Sequence, residues 1–380
     1  MKRALALLLV SALSLSLLSG CSAGPAAEQL SAEPISLTAQ ELAAHGPDVQ
    51  DACDALSSFG LALLQNTEQS GESTLLSPLS VILALSMAAN GAEGETLAQF
   101  QEALGGVSLE ALNAACQSLL SDYRQLGGST RASIANSLWV DPEGQISEEF
   151  IGRCMGIYGA EVFQGELSAP AVVDNVNRWV SKQTEGLIPK LVQQPFPEDT
   201  AALLINALYL NNTWELAFDP NSTYPREFTH SGGQVERMDF LHHSFTDLLY
   251  LQGEGAQGVV LPYDDGRLAF AARPKVETEG SGSLQKILKD MGLEDACTPG
   301  QADFSRMGDH PNGNYLSEVL HASKLQVNEK GTEAAAATLV APASGAPPPE
   351  QGVELLLDRP FLYGIFDRQN GVPLFLGTFE

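Results

Sequence analysis

Two short motifs contain residue types that hydrolases use as nucleophiles. Residues 20–24 read Gly-Cys-Ser-Ala-Gly, which fits the G-x-S-x-G turn, and Ser283 with Lys286 fits the S-x-x-K pair of penicillin-interactive enzymes. The first motif needs a strand before it, whereas here it follows an apolar run typical of a signal peptide. The second lacks Lys-Thr-Gly, because residues 330–332 read Lys-Gly-Thr. Neither motif predicts catalysis, and the protein is not expected to be an enzyme.

No metal site and no cofactor are predicted. His242 and His243 are adjacent, and adjacent residues point apart in most regular structure, so the pair is a poor ligand set. The five cysteines include no C-x-x-C, so they match no zinc pattern. Four of them are expected to be buried, unpaired thiols rather than a disulfide framework, because isolated cysteine packs as a small hydrophobe: Cys53, Cys116, Cys154 and Cys297.

The N-terminus has the pattern of a secretion signal followed by a lipid attachment site. Lys2 and Arg3 precede an apolar run at residues 4–18 that is too short for a convincing transmembrane helix. The run ends Leu-Ser-Gly-Cys at Cys21, which resembles the bacterial lipobox. The resemblance implies that residues 1–20 are removed and that Cys21 receives a diacylglyceryl group, whose two acyl chains suffice for stable attachment. A plain signal peptide with an incidental cysteine is the alternative.

Composition and charge restrict the possible partners. Residues 21–47 are rich in Ala, Ser, Glu and Pro and are predicted to be a flexible tether. The formal net charge of −27 argues against nucleic acid and against electrostatic attachment to anionic lipid, since both need clustered Lys and Arg. We therefore expect an extracellular protein that is held at the cell membrane by its lipid anchor only. Residues 48–380 contain no linker or repeat, so they are predicted to form one domain.

Helix signals dominate the first half of this domain, and strand signals dominate the second. Ser77 and Pro78 form a helix cap and first turn, residues 201–210 are apolar on both faces, and Asn370-Gly371 predicts a hairpin. The class is therefore α+β. Helices are predicted at 48–66, 78–90, 95–104, 109–120, 147–158, 171–185 and 283–291, and strands at 133–140, 201–210, 259–261, 268–272, 361–367 and 372–379.

One segment near the C-terminus differs from the rest of the domain. Residues 329–349 read Glu-Lys-Gly-Thr-Glu-Ala-Ala-Ala-Ala-Thr-Leu-Val-Ala-Pro-Ala-Ser-Gly-Ala-Pro-Pro-Pro. An alanine-rich helix followed by a prolyl loop is the plain interpretation. Three features favour a functional loop instead. Gly331 offers a hinge, residues 332–338 contain no large side chain, and long loops in compact domains usually have a function.

These features and several ordered motifs resemble the serpin family over nearly the whole mature domain. The segment similar to the hinge of inhibitory serpins comprises Glu329, Lys330, Gly331, Thr332, Glu333, Ala334, Ala335, Ala336, Ala337 and Thr338. The other matches, in family order, are Ser77-Pro78-Leu79-Ser80, Asn90-Gly91-Ala92, Val176-Asn177-Arg178-Trp179-Val180, Thr184-Glu185-Gly186-Leu187-Ile188, Asn206-Ala207-Leu208-Tyr209-Leu210 with Trp214, Leu261-Pro262-Tyr263 and Arg359-Pro360-Phe361.

The resemblance implies a fold and a mechanism. The fold has helices packed on three β-sheets, an exposed reactive-centre loop at about 329–350, and a metastable native state. In the family, a protease attacks the loop, forms an acyl-enzyme, and is distorted when the cut loop inserts as a new strand. Insertion needs small side chains at the alternate positions that would face the core. Here these positions are Thr332, Ala334, Ala336, Thr338 and Val340. An inhibitor is therefore predicted; a non-inhibitory, surface-binding lipoprotein of the same fold is the alternative.

The cleaved bond follows from the family's spacing after Gly331. That spacing places it between Gly345 and Ala346, with Ala343 and Ser344 as neighbouring candidates because the loop is longer than usual. All these residues are small, whereas a trypsin-like pocket needs a cation and a chymotrypsin-like pocket a ring. The expected partner of the monomer is an elastase-like or subtilisin-like serine protease. Pro342 departs from an ideal inserting strand, because it cannot donate to the ladder.

Five further residues match family positions that control opening of the sheet. The resemblance implies that Ser77, Ser80, Asn206 and His321 hydrogen-bond beneath the opening sheet, and that Trp214 lies where insertion begins. A satisfied core histidine and ordinary core packing of the tryptophan are the alternatives. In either case the role is structural rather than catalytic.

Overall fold

The computed structural model describes residues 27–68, 71–198, 200–245, 248–253, 256–271, 276–311, 313–332 and 355–380. Its helices are α1 Ala39–Ala44, α2 Gly46–Thr67, α3 Pro78–Ala89, α4 Gly94–Ala103, α5 Leu109–Tyr123, α6 Glu148–Tyr158, α7 Pro170–Gln183 and α8 Gln285–Asp290. Its strands are β1 Glu28–Leu30, β2 Thr74–Leu76, β3 Arg131–Val140, β4 Gln145–Ile146, β5 Glu161–Gln164, β6 Ala202–Thr213, β7 Tyr224–Thr229, β8 Val235–Phe240, β9 Leu249–Gly253, β10 Ala256–Pro262, β11 Leu268–Ala271, β12 Val276–Ser283, β13 Gly308–Asp309, β14 Glu318–Val327, β15 Gly331–Thr332, β16 Phe361–Asp367 and β17 Pro373–Phe379.

Two large sheets organise the domain. The main sheet has the order β1-β5-β3-β6-β15-β14-β12, and the second has the order β2-β17-β16-β11-β10-β9. A hairpin of β7 and β8 and a short ladder of β4 with β13 complete the strand pairing among the described residues. The predicted α+β class is confirmed, and the short β4–β13 ladder adds to the three sheets that the family resemblance implied.

The main sheet is buried on both faces. Helix α3, whose residues are all buried, contacts both β6 and β17 and so lies between the two large sheets. It begins where Ser77 Oγ accepts a hydrogen bond from the Ser80 N–H and where Pro78 occupies the first turn. Helix α7 covers the other face of the main sheet through Val176 and Trp179, which pack in a second core cluster. Double coverage explains why β6 is apolar on both faces.

The predicted helices and strands are present within a few residues of their expected bounds. Two long strands of the main sheet, β12 and β14, were not predicted. Strand β12 reads Val-Glu-Thr-Glu-Gly-Ser-Gly-Ser and offers almost no apolar signal. Its Gly280 fits where a side chain would overlap the carbonyl oxygen of Leu75, so tight packing replaces the usual hydrophobic pattern.

The tether predicted for residues 21–47 is wrong from residue 27 onward, because this part is folded against the domain. Strand β1 pairs with β5, extending the main sheet by one strand. The Ile35 N–H donates to the Gly152 carbonyl oxygen at 2.8 Å, and a Cβ on Gly152 would lie 2.6 Å from the Glu33 carbonyl oxygen. The small residues of α6 therefore form the surface on which this segment packs.

The four cysteines of the described chain are free and buried, as predicted. Burial raises the pKa of Cys53 and Cys297 to about 11 and that of Cys116 to about 12, so these thiols stay protonated and unreactive near neutral pH. Among the helices in the described ranges, none is both long and apolar enough to span a bilayer.

Candidate functional site

A wedge-shaped opening divides the main sheet between β6 and β14. At one end, Thr332 of β15 pairs with Asn212 on one side and Val327 on the other. At the other end, β6 and β14 pair directly and in parallel, residues 203–205 with residues 318–320. The two strands are thus one strand-width apart at the β15 end and adjacent at the far end. The sheet is therefore partly parted at the end where Gly331 and Thr332 lie between the two strands.

Gly331 is required by the close approach of the loop to β6. A Cβ at this position would overlap the Asn212 carbonyl oxygen and would lie 2.8 Å from the Thr213 Cα. Both are backbone atoms of a paired strand and cannot move aside cheaply. The glycine predicted as the hinge thus fits where any larger residue would push the loop out of the sheet.

Backbone hydrogen bonds fix the chain just before the hinge. The Trp214 N–H donates to the Lys330 carbonyl oxygen at 2.8 Å, and its indole Nε1 donates to the Asn328 carbonyl oxygen at 2.9 Å. The Phe218 N–H donates to the Glu329 carbonyl oxygen at 2.8 Å. These bonds hold residues 328–330 in place, and Trp214 lies directly beside the point where the chain enters the sheet.

Thr332 faces the core beneath the hinge. Its Oγ1 lies 2.5 Å from the hydroxyl oxygen of Tyr263, and both residues are fully buried. Tyr263 stacks on Trp214 with ring centroids 4.7 Å apart and an angle of 8° between the planes. Burial raises the pKa of the Tyr263 hydroxyl well above its usual value. Tyr263 was missed as a site residue, although the Leu261-Pro262-Tyr263 motif pointed to it.

A polar cluster lies beneath the sheet where β14 passes the start of α3. The Ser77 N–H donates to His321 Nε2 at 3.0 Å, and the hydroxyls of Ser77 and Ser80 are 2.8 Å apart. Ser323 Oγ lies 3.2 Å from the same His321 nitrogen. The structure thus brings together three of the four residues predicted to act beneath the sheet. Ser323 was not predicted, although it lies on the same face of the strand two residues after His321.

Asn206 belongs to a different cluster. Its Nδ2 donates to Asn136 Oδ1 at 2.6 Å on the neighbouring strand β3, and Asn136 donates in turn to the Tyr158 carbonyl oxygen at 2.9 Å. The expectation that Asn206 bonds together with Ser77 and His321 is therefore wrong. Its Oδ1 is buried and has no hydrogen-bond partner among the described residues.

The remaining predicted site residues lie outside the described part of the chain. They are Glu333, Ala334, Ala335, Ala336, Ala337, Thr338, Pro342 and the reactive-bond candidates Ala343, Ser344, Gly345 and Ala346, together with the lipid attachment residue Cys21.

Burial lowers the pKa of His321 to about 4, so its ring is neutral at neutral pH. Because Nε2 accepts from Ser77, the ring proton resides on Nδ1. The folded pKa lies below the unfolded value of about 6.5, so the unfolded chain binds more protons between these limits. Stability from this group is complete above about pH 6.5 and is lost as the pH falls towards 4.

We expect denaturant unfolding to reveal a loss of about 3 kcal/mol from His321 between pH 7 and pH 4. In His321→Gln, which keeps an acceptor for the Ser77 N–H, this part of the pH dependence should disappear. His45→Gln, at an exposed His–Asp pair 3.3 Å apart, is the matched control and should retain it. An unchanged pH profile in His321→Gln would contradict the assignment.

The main sheet thus contains a two-residue strand, Gly331–Thr332, that is paired between β6 and β14. A family model described as "Serpin (serine protease inhibitor)" matches residues 54–272 and 268–380 of the chain. The chain belongs to the serpin family. The family is described as one of serine protease inhibitors rather than of enzymes, in agreement with the expectation that the protein is not an enzyme.

Relatives and solved structures agree with this assignment. The chain is 32% identical over 359 residues to Serpin-ZXA of Oryza sativa subsp. japonica, covering 81% of this chain and 89% of that protein. It is 30% identical to Serpin B9 of Homo sapiens, covering 86% and 98%. The native state of the thermophilic serpin tengpin matches with a TM-score of 0.80 and 29% identity, covering 93% of this chain and 98% of that chain. Its latent state matches with a TM-score of 0.72, covering 87% and 97%.

Proposed function

We propose that the protein inhibits serine proteases as a suicide substrate, trapping them covalently by loop insertion. One observation carries the proposal: the sheet is already parted at the β15 end, where the hinge has entered, and β6 and β14 pair directly at the far end. After cleavage, the loop could continue to insert between β6 and β14, from the β15 end towards the far end.

The register of β15 predicts where each loop residue would lie after insertion. Residues 333–338 would run between 206–211 of β6 and 321–326 of β14. Residues 339–341 would then fall between 205–203 and 320–318, which are the three pairs now joined directly. The registers at the two ends of the opening are thus consistent with one continuous inserted strand. This consistency supports insertion as far as residue 341.

The side chains fit the same register. Thr332 is buried, so the even-numbered residues that follow it would face the same core. There they would lie beside the even-numbered residues of β6, which line the larger hydrophobic cluster through Leu204, Leu208 and Leu210. Thr338 would lie between Asn206 and His321, where its hydroxyl could donate to the buried Oδ1 of Asn206. The predicted run of small inward residues is therefore suited to this slot.

Pro342 would fall just beyond the paired region. Continuing the register places it opposite Ala202, the first residue of β6, and opposite Ser317, which precedes β14. A proline at the end of a ladder forfeits little, because few hydrogen bonds depend on its missing N–H. Pro342 therefore marks the end of the inserting strand rather than an obstacle within it.

In the proposed reaction, the serine oxygen of the protease attacks the Gly345 carbonyl carbon and the bond to the Ala346 nitrogen breaks. The new amine remains with residues 346–380, which include β16 and β17 of the second sheet. Insertion then separates residues 203–205 from 318–320 and carries the ester-linked protease to the far end of the sheet. The inhibitor contributes no catalytic group, since the attacking serine belongs to the protease.

The small residues at 343–346 favour an elastase-like or subtilisin-like target. We expect progress curves to show time-dependent inhibition of a pancreatic-type elastase or a subtilisin and none of trypsin. Gly345→Arg should reverse this preference, because a trypsin pocket binds a cation. Slow hydrolysis of the loop with full protease activity throughout, in wild type and variant alike, would instead indicate a non-inhibitory binding protein.

We further propose that the chain is a monomeric lipoprotein, anchored at the outer face of the cell membrane through Cys21. Support comes from the lipobox-like sequence before Cys21 and from the domain beginning only a few residues later, at β1. Cys21→Ser should release the protein from the membrane fraction. Retention of this variant in membranes would contradict the anchor.

A further inference from the structure

Three side chains of metal-binding type meet at the end of the main sheet far from the hinge. Asp141 and Glu143 lie in the turn between β3 and β4, and His310 follows β13. Asp141 directly follows Val140, which pairs with Ala202 of β6. Gly331 pairs with Thr213, eleven residues further along β6, so the cluster and the hinge are about 35 Å apart along the strand. This cluster is therefore separate from the hinge.

The ligand atoms of the three residues are close enough to share one ion. One ring nitrogen of His310 and one carboxylate oxygen each of Asp141 and Glu143 all lie within 4.8 Å of one another. His310 Nε2 and Asp141 Oδ1 are 3.8 Å apart, which is longer than a hydrogen bond. Tetrahedral coordination with bonds of about 2.0–2.1 Å places ligand atoms about 3.3 Å apart. The ligand atoms are therefore somewhat farther apart than in a loaded site and would have to move closer together on binding.

The backbone around the cluster holds the ligands in place. The Glu143 N–H donates to Asp141 Oδ1 at 2.9 Å, and the Asp141 N–H donates to the Ala201 carbonyl oxygen at 3.0 Å. The β4–β13 ladder, which pairs Gln145 with Asp309, joins the two segments that carry the ligands. The imidazole is 4% exposed and the Asp141 side chain 15%, whereas Glu143 lies at the surface. The cluster is thus rigid on its inner side and open to solvent on its outer side.

We propose that Asp141, Glu143 and His310 bind a divalent transition-metal ion of the zinc class. One imidazole nitrogen with two carboxylate oxygens is a ligand set that suits zinc, and a water molecule would complete four-coordination on the exposed side. Calcium and magnesium fit less well, because both prefer an all-oxygen shell with more ligands. A divalent cation also offsets the repulsion of two neighbouring carboxylates in a chain of net charge −27.

A bound ion would act on the strands that loop insertion must separate. Asp141 is fixed to the β3–β6 side of the parted sheet, and His310 lies on the segment that leads into β14. The three β6–β14 pairs begin at Leu203, two residues from the Ala201 partner of Asp141. The ion would therefore link the two sides at the closed end and slow the last part of insertion. This consequence, unlike the metal site itself, rests on the proposed function.

The site is tested by titrating the purified chain with ZnCl₂. Calorimetry measures the binding, and the thermal midpoint of unfolding is measured with and without Zn²⁺. Wild type should bind one Zn²⁺ saturably with a raised midpoint. His310→Gln and the surface variant Glu143→Gln each remove a ligand. Loss of an outer-shell partner lowers metal affinity by roughly 10–100-fold, so each variant should lose at least that much. His45→Gln, at the exposed pair with Asp48, should bind as wild type does.

Equal Zn²⁺ affinity in wild type and Glu143→Gln, or no saturable binding by wild type at millimolar Zn²⁺, would overturn the site. Glu143→Gln keeps the test valid if His310→Gln fails to fold. No protease is present in this experiment, so failure of the proposed inhibitory function would leave its result unchanged. With a protease added, Zn²⁺ should slow trapping by wild type but not by Glu143→Gln; equal slowing of both would overturn the link to insertion.

Discussion

Replacing Ala336 with arginine is expected to turn the inhibitor into a substrate. After insertion, residue 336 would lie between Leu208 and Ser323, which are 4% and 2% exposed on the core face of the sheet. Burying an unpaired guanidinium there costs several kcal/mol, so insertion slows while deacylation continues unchanged. Since each 1.4 kcal/mol changes a rate about tenfold, the number of inhibitor molecules consumed per protease should rise at least tenfold. Titration of protease activity measures this number directly.

Glu333→Arg is the matched control for this substitution. Residue 333 would lie opposite Asn211 and Gln326, which are partly exposed on the other face, so an arginine there keeps its water. This variant should inhibit nearly as well as wild type. Equal loss in both variants, or full inhibition by Ala336→Arg, would contradict the inward parity of the even-numbered residues.

Cleavage within the loop is expected to raise the thermal midpoint by about 20 °C or more. Nine newly inserted residues, 333–341, would pair with strands on both sides, and at roughly 1 kcal/mol for the net hydrogen bonding that each residue gains the stabilisation is ~9 kcal/mol. A domain of this size shifts by about 2–4 °C per kcal/mol or slightly less. Calorimetry before and after cleavage by a non-target protease gives the measurement. The metastable native state implied by the family resemblance predicts this gain.

The same cleavage in Ala336→Arg should give little stabilisation, because insertion is blocked near its middle. If cleaved wild type unfolds at the temperature of the intact protein, the loop does not enter the sheet. The inward small residues would then need another explanation, and the alternative of a binding protein would gain support.

The helices were predictable because their local signals agree with their tertiary roles. Ser77 and Pro78 cap and start α3 as the sequence indicated, and β6 reads as a strand buried on both faces. Strand β12 was missed because it has almost no apolar signal and obtains its stability from pairing with β14. Strand β14 was missed although half of its residues are apolar. The folded segment at 27–47 was missed because its packing surface is the small-residue face of α6, which composition does not reveal.

The sequence predicted those residues of the candidate site whose position alone determines their role. Gly331, Trp214 and His321 lie where the family resemblance implied, next to the hinge or beneath the sheet. Partners that depend on strand register were not predictable: Asn206 bonds across to β3 rather than to His321, and Tyr263 reaches Thr332. The Asp141–Glu143–His310 cluster was invisible for the same reason, since the β4–β13 ladder brings its two parts together.

Covalent trapping is tested most directly by mixing the purified chain with a pancreatic-type elastase or a subtilisin and analysing the product under denaturing conditions. The account predicts a new band that survives SDS, at the summed mass of both proteins less the 346–380 peptide. Mass spectrometry should show that this peptide begins at Ala346 or at an adjacent small residue. Cleaved inhibitor beside fully active protease, with no higher band, would contradict the central claim.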